Sequence, residues 1–125
     1  MQYKPQKDFP HIERYKKVFH VTPFTIFAYD DTIYTDYTLP RHLEIHEQRH
    51  LVRQQKIGVD LWVDKYLTDK DFRLNEEIIS YREQCNSIKD RNQRDKLRKM
   101  CAIDLSSALY GGIISDEDAY KLLCN

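Results

Sequence analysis

Glycine is scarce in this 125-residue chain, with three in all, and proline is hardly commoner, with four. So few chain breakers exclude Gly/Ser linkers and low-complexity tracts, and the length fits one domain with one core. Cysteine is equally rare. Cys85, Cys101 and Cys124 are odd in number and widely spaced, which argues against a disulfide framework or a CxxC metal clamp. They are expected to pack as small apolar side chains. Net charge is missing too: twenty basic residues balance twenty acidic ones, so no global field draws in nucleic acid or an anionic membrane. No apolar run approaches the roughly 20 residues that span a bilayer. The opening stretch, Met1 to Asp8, lacks the apolar core of a secretory signal. A reducing, cytoplasmic setting is the expectation.

What the chain does have is tyrosine, at nine residues, and a change of character near residue 40. Before that point β-branched and aromatic residues dominate. Residues 1–17 read as an extended lead-in with a helical turn near Ile12–Val18, and Val18–Val21 as a short strand. Phe24–Tyr29 and Thr32–Tyr37 are strand-like, with Asp30-Asp31 as the turn of an antiparallel hairpin. After residue 40, helical periodicity takes over. Pro40 can open a helix that runs to about Lys56, and Gly58 stops it. A second helix is expected over Val59–Leu67 with Trp62 and Val63 inward. A third, capped by Asp69 or Asp71, extends to about Asn86, and a fourth covers roughly Lys89 to Tyr110. Ser115-Asp116-Glu117-Asp118 caps a last helix ending at Leu123. The fold class is α+β: a small antiparallel sheet in 1–39, then a helical part in 40–125.

The chemistry sits at His46-Glu47-Gln48-Arg49-His50. Residues four apart on a helix share a face about 6 Å apart along the axis, so His46 and His50 can close on one ion. Glu47 lies beside that pair, angled off it, where it can take a proton from water on the ion instead of ligating. His42 shares the same face, but the outer pair of histidines is about 12 Å apart, too far to hold one ion with both. A 42/46 pair would be followed by Leu43, which cannot act as a base, so His42 is set aside as supporting or incidental. Two imidazoles leave zinc short of a third protein ligand. The third helix offers two carboxylates, Glu76 and Glu77. Zinc is the expected ion, although manganese, cobalt or iron accept the same donors.

An HExxH helix followed by a helix-borne Glu77-Ile78-Ile79-Ser80-Tyr81 resembles the gluzincin branch of the zincin metallopeptidases. Gln54, Gly58, Trp62, Tyr66, Arg73 and the Tyr110-Gly111-Gly112 region are similar to small phage and bacterial HExxH proteins. The resemblance implies a minimal zincin-like fold, a zinc ion on His46, His50 and Glu77, Glu47 as general base, and Tyr81 as a supporting or oxyanion-stabilising group. It also implies a peptide or protein substrate, bound by strand addition along Thr32–Tyr37. A catalytically silent assembly component, for instance of a phage particle, or a regulatory binding module is the other reading. That setting would be virion-associated. Tyr66 and Tyr110 are further oxyanion candidates. The aromatics Tyr29, Tyr34, Tyr37, Trp62 and Tyr66 are expected to be mainly core. The basic run Lys89–Lys99 is expected to be a solvated face instead of a nucleic-acid site.

Overall fold

A computed structural model describes residues 1–107 and 110–124. It is α+β, a three-stranded mixed sheet followed by a helical bundle. Strands β1 (Gln2–Lys4), β2 (Phe27–Tyr29) and β3 (Thr32–Tyr34) are ordered β1-β3-β2, with β3 parallel to β1 and antiparallel to β2. A 3₁₀ turn, Gln6–Asp8, and helix α1, Ile12–Lys16, lie between β1 and the hairpin. Then follow α2 (Arg41–Ile57), α3 (Val59–Thr68), α4 (Lys70–Asn86), α5 (Arg91–Ser106) and α6 (Asp116–Leu123). No helix among the described residues is long and apolar enough to cross a membrane.

Local chemistry accounts for the joints. Pro40 sits at the cap position of α2 in extended backbone, one residue before the helix. Gly58 ends α2 at φ 116° and ψ 122° and caps α3 in the same step, a backbone state that glycine adopts without strain. Asp69 accepts from the amides of Asp71 and Phe72, and Asp90 and Ser115 cap α5 and α6 in the same manner. The hairpin turn needs a left-handed residue, and Asp30, at φ 59°, fills it. Gln54 Oε1 accepts from the Asp30 amide at 2.8 Å while its Nε2 donates to the Ala28 carbonyl at 2.8 Å, fastening the hairpin to α2.

Four expectations need correction. The lead-in contains a strand, β1, which pairs with β3 thirty residues away. Val18–Val21 is not a strand, because the amides of Val18 and Phe19 bond back to the Tyr15 carbonyl and turn Phe19 into the core. The hairpin arms are shorter than Phe24–Tyr29 and Thr32–Tyr37. Thr22 and Thr25 close a turn at one end, and Thr35 Oγ1 accepts from the Tyr37 amide at the other. Helix α5 stops at Ser106, where Ser106 and Ser107 hydroxyls bond the Ile103 and Asp104 carbonyls and Ser107 turns extended. The part of that expected helix over Ala108 and Leu109 lies outside the described residues.

The apolar core is split. One cluster (Phe9, Tyr15, Phe27, Trp62, Val63 and Tyr66 among its members) joins the sheet side to α3. Another, with Ile78, Cys85, Cys101, Leu105, Ala119 and Leu123, joins α4, α5 and α6. Between them α2 meets α4 through polar side chains: His46 and His50 face Glu77, Ser80 and Gln84, all buried, and Glu47, Gln54 and Glu76 are buried nearby. Burying so many polar groups is costly unless each is partnered. A fold that needed only stability would place leucines there. Cys85 and Cys101 pack as expected, whereas Cys124 is exposed. Of the five aromatics, Tyr34, Trp62 and Tyr66 are core, and Tyr37 is exposed, stacked on Phe24.

Candidate metal centre

The α2 periodicity puts His46 and His50 on one face, with ring centroids 4.9 Å apart and planes at 82°. Glu77 meets them from the antiparallel α4. Its Oε1 lies 3.1 Å from His46 Nε2 and 3.3 Å from His50 Nε2. For donors held at about 2.0–2.1 Å by a tetrahedral ion, geometry puts neighbouring donors about 3.3–3.4 Å apart. The observed spacings match that figure to within about 0.3 Å, so these residues fit a single zinc-sized ion. Glu47 also belongs to the cluster, since donor atoms of His46, Glu47 and His50 all lie within 4.8 Å of one another. Its Oε2 is 3.9 Å from His46 Nε2, however, which is long for a shared tetrahedral shell. The group whose donor atoms converge is His46, Glu47 and His50, and a Glu77 oxygen lies within hydrogen-bond reach of both rings.

The two acidic candidates on α4 have separate fates. Glu76 turns away to a bidentate pairing with Arg53, at 3.1 and 2.9 Å, and accepts from Trp62 Nε1 at 2.8 Å. Glu77 instead receives the Tyr66 hydroxyl on Oε2 at 2.5 Å. Burial would push the Glu77 carboxyl up, but His50 and His46 outweigh it and hold the group well below the usual carboxylate range. Glu47 has no such compensation. Burial, reinforced by the neighbouring Glu77 charge and only partly opposed by His46, raises it to about 7. The two carboxylates of this buried cluster are therefore shifted in opposite directions, Glu77 down and Glu47 up.

The outward nitrogens of both rings are also engaged. His46 Nδ1 faces Gln84 Oε1 at 3.0 Å, and His50 Nδ1 faces Ser80 Oγ at 3.2 Å. Such partners hold ring orientation around a metal. Sequence reasoning missed both residues, although Glu77, Ser80 and Gln84 share one face of α4 at helical spacing. His42 is not incidental, because its Nδ1 lies 2.8 Å from Gln84 Nε2. Tyr81 supports the site differently from the expectation. Its ring packs edge-on against His46 at 4.4 Å, and its hydroxyl pairs with that of Tyr110 at 2.9 Å. Burial pushes both hydroxyls well above the ordinary tyrosine value, so they remain protonated donors.

Two cavities meet over the cluster. An inner one is walled by Tyr15, Phe19, Phe27, Trp62 and Tyr66, and an outer one reaches Phe24, Leu43, Gln84 and Asp104. They share Thr25, Ile26, His46, Glu47 and Tyr110. Within the Thr32–Tyr37 segment expected to add a substrate strand, Thr32–Tyr34 forms the central strand β3, with β1 on one side and β2 on the other, so it presents no free edge. Strand β2 is the edge beside the site, and there Gln54 already occupies the Ala28 carbonyl. Comparison with family models, curated proteins and solved structures gives no match to this chain.

Proposed function

We propose that this domain is a zinc-dependent hydrolase, and that its substrate is a peptide. The observation that carries the reading is the approach of one Glu77 oxygen to both Nε2 atoms, at 3.1 and 3.3 Å, with Glu47 poised beside them in a cavity. His46, His50 and Glu77 would hold the ion. A bound divalent ion supplies Lewis acidity and makes a water proton easier to remove near neutral pH.

The remaining chemistry belongs to the chain. Glu47, with its carboxyl near 7, accepts the proton of the attacking water and returns it to the leaving amine. Tyr66 is committed to Glu77, whereas the Tyr81 and Tyr110 hydroxyls pair with each other and both residues line the outer cavity. Of that pair Tyr110 lines both cavities, which favours its hydroxyl for a developing oxyanion, with Tyr81 as its partner. The two cavities share His46, Glu47 and Tyr110 in their walls, and this adjoining space suits an extended chain lying across the site. The aromatic wall of the inner cavity favours an apolar substrate side chain.

The test is metal content together with peptide hydrolysis for the wild-type chain and Glu47→Gln. The reading expects equal zinc in both and at least a hundredfold loss of hydrolysis in the variant. Folded wild-type protein that takes up no zinc would remove it. A second reading, a metal-bearing structural or assembly domain without catalysis, draws on the near-complete burial of His46, His50 and Glu77, at 3%, 5% and 2% exposure. Zinc bound without turnover over a broad peptide library, with unchanged biology in Glu47→Gln, would favour it.

A further inference from the structure

Twenty residues of this chain are Lys or Arg, yet none of the described residues that wall the two cavities is either. The carboxylates there are Glu47 and Glu77 in the inner cavity, and Glu47 and Asp104 in the outer one. A substrate carboxylate, from a chain terminus or an acidic side chain, finds no lysine or arginine to meet it. A substrate cation finds a carboxylate in the outer cavity that the hydrolytic chemistry leaves unused.

That carboxylate is Asp104, on α5. The positions three and four away in sequence hold Met100, Cys101, Ser107 and Ala108, so none supplies a helical ion pair. No described residue hydrogen-bonds or ion-pairs with its side chain; Ser107 bonds only its backbone carbonyl. Its charge nevertheless lies toward the site. The Tyr81 hydroxyl, raised first by burial, is raised further by the Glu77 and Asp104 charges. Desolvation raises the Asp104 carboxyl, and the His46 ring opposes that rise.

The other walls of the outer cavity include Ile26, Leu43 and Phe24. Phe24 is 72% exposed and stacks on Tyr37 with ring centroids 5.2 Å apart, so an aromatic pair stands open to solvent beside the cavity. Apolar surface that shares a cavity with an unpaired carboxylate matches a side chain with an aliphatic stem and a positive tip, and aromatic faces attract the same tip.

We propose that the outer cavity is a subsite for a Lys or Arg side chain of the substrate, with Asp104 as the specificity-determining residue that meets its charge. An apolar side chain then fills the inner cavity, and the two residues adjoin in the peptide because the cavities share His46, Glu47 and Tyr110. The inference rests on the reading that a peptide lies across the site, but not on its being cleaved.

The experiment uses N-acetylated, C-amidated fluorescent peptides that carry Phe beside Lys, Arg, norleucine or Glu, in both orders. Dissociation constants are measured by anisotropy on Glu47→Gln protein, which prevents turnover, with one equivalent of zinc present. Lys and Arg peptides should bind about tenfold tighter than norleucine, which has the lysine stem without its charge, and Glu peptides should bind more weakly than norleucine. Adding Asp104→Asn should remove the difference between Lys and norleucine, and Asp104→Lys should turn the preference toward Glu. Each result is a ratio between peptides on one protein, so a general loss of folding or affinity does not imitate it. Equal binding of Lys and norleucine peptides, or a preference that survives Asp104→Asn, would overturn the inference. A free amino terminus that reproduces the lysine effect on a norleucine peptide, and loses it in Asp104→Asn, would assign the carboxylate to a chain end and overturn the side-chain subsite. An intact lysine preference without hydrolysis of these peptides by zinc-loaded wild type would instead remove the hydrolase reading and leave the subsite standing. Absence of binding by every peptide would overturn both.

Discussion

Removing the charge at position 47 should make the metal-free protein more stable, and more so as pH rises. Glu47 is buried, with a carboxyl raised from the ordinary 4.5 to about 7. Below pH 4.5 the group is neutral in both folded and unfolded chains and costs nothing extra. Between 4.5 and 7 the unfolded chain releases the proton while the folded chain retains it, so stability falls with rising pH. Above 7 the carboxylate is ionised in both states and the full cost of its burial remains. The difference of 2.5 units (7 − 4.5) corresponds to about 3 kcal/mol at 1.36 kcal/mol per unit. Glu77 shifts the opposite way: its contribution is present above 4.5 and is lost only as pH falls through its depressed value, outside this window. Urea unfolding of wild type and Glu47→Gln, in chelator, at pH 4.5 and 8.5 isolates the effect, because titrations remote from position 47 cancel between the two chains. The gap should widen in favour of Glu47→Gln by about 3 kcal/mol, or about 10 °C in Tm. Saturating zinc should shrink it, because a nearby divalent cation stabilises the ionised carboxylate. A gap constant with pH in chelator would refute the reasoning.

Three other perturbations follow from the same geometry. Arg53→Met strands the fully buried Glu76 carboxylate with only Trp62 Nε1, and should destabilise the fold by about 3 kcal/mol in urea melts followed by tryptophan fluorescence. Tyr66→Phe removes the 2.5 Å donor to Glu77 Oε2 and should weaken zinc binding about tenfold, read by chelator competition, while the fold persists. Gly58→Ala adds a Cβ that meets only Leu61 Cβ at 3.7 Å, so its cost of about 2 kcal/mol is backbone strain at φ 116°, measurable by thermal unfolding.

Much of the helical part was legible because its signals are local. Pro40, Gly58, Asp69 and Ser115 each mark a helix boundary by their own chemistry, and the observed boundaries fall within a residue or two of them. The His46–Glu47–His50 cluster was legible because i, i+4 spacing on a helix is a geometric constraint. The choice between Glu76 and Glu77 was not settled by spacing. It depends on how α4 rotates against α2, and that rotation is fixed by where Arg53 and Trp62 capture Glu76. Strand β1 escaped notice because three residues carry too little alternation, and its partner lies thirty positions away. Gln84 and His42 were obscure for a related reason: neither belongs to the motif, and their pairing exists only once the helices dock. The polar stripe Glu77, Ser80, Gln84 on a helix that must be buried was the available clue.

The most direct test is X-ray absorption at the zinc edge of protein loaded with one equivalent of zinc. The account predicts a first shell of nitrogen and oxygen only, with two imidazoles, and loss of the bound ion in Glu77→Ala. A sulfur scatterer, or zinc that stays bound unchanged when Glu77 is replaced, would contradict it.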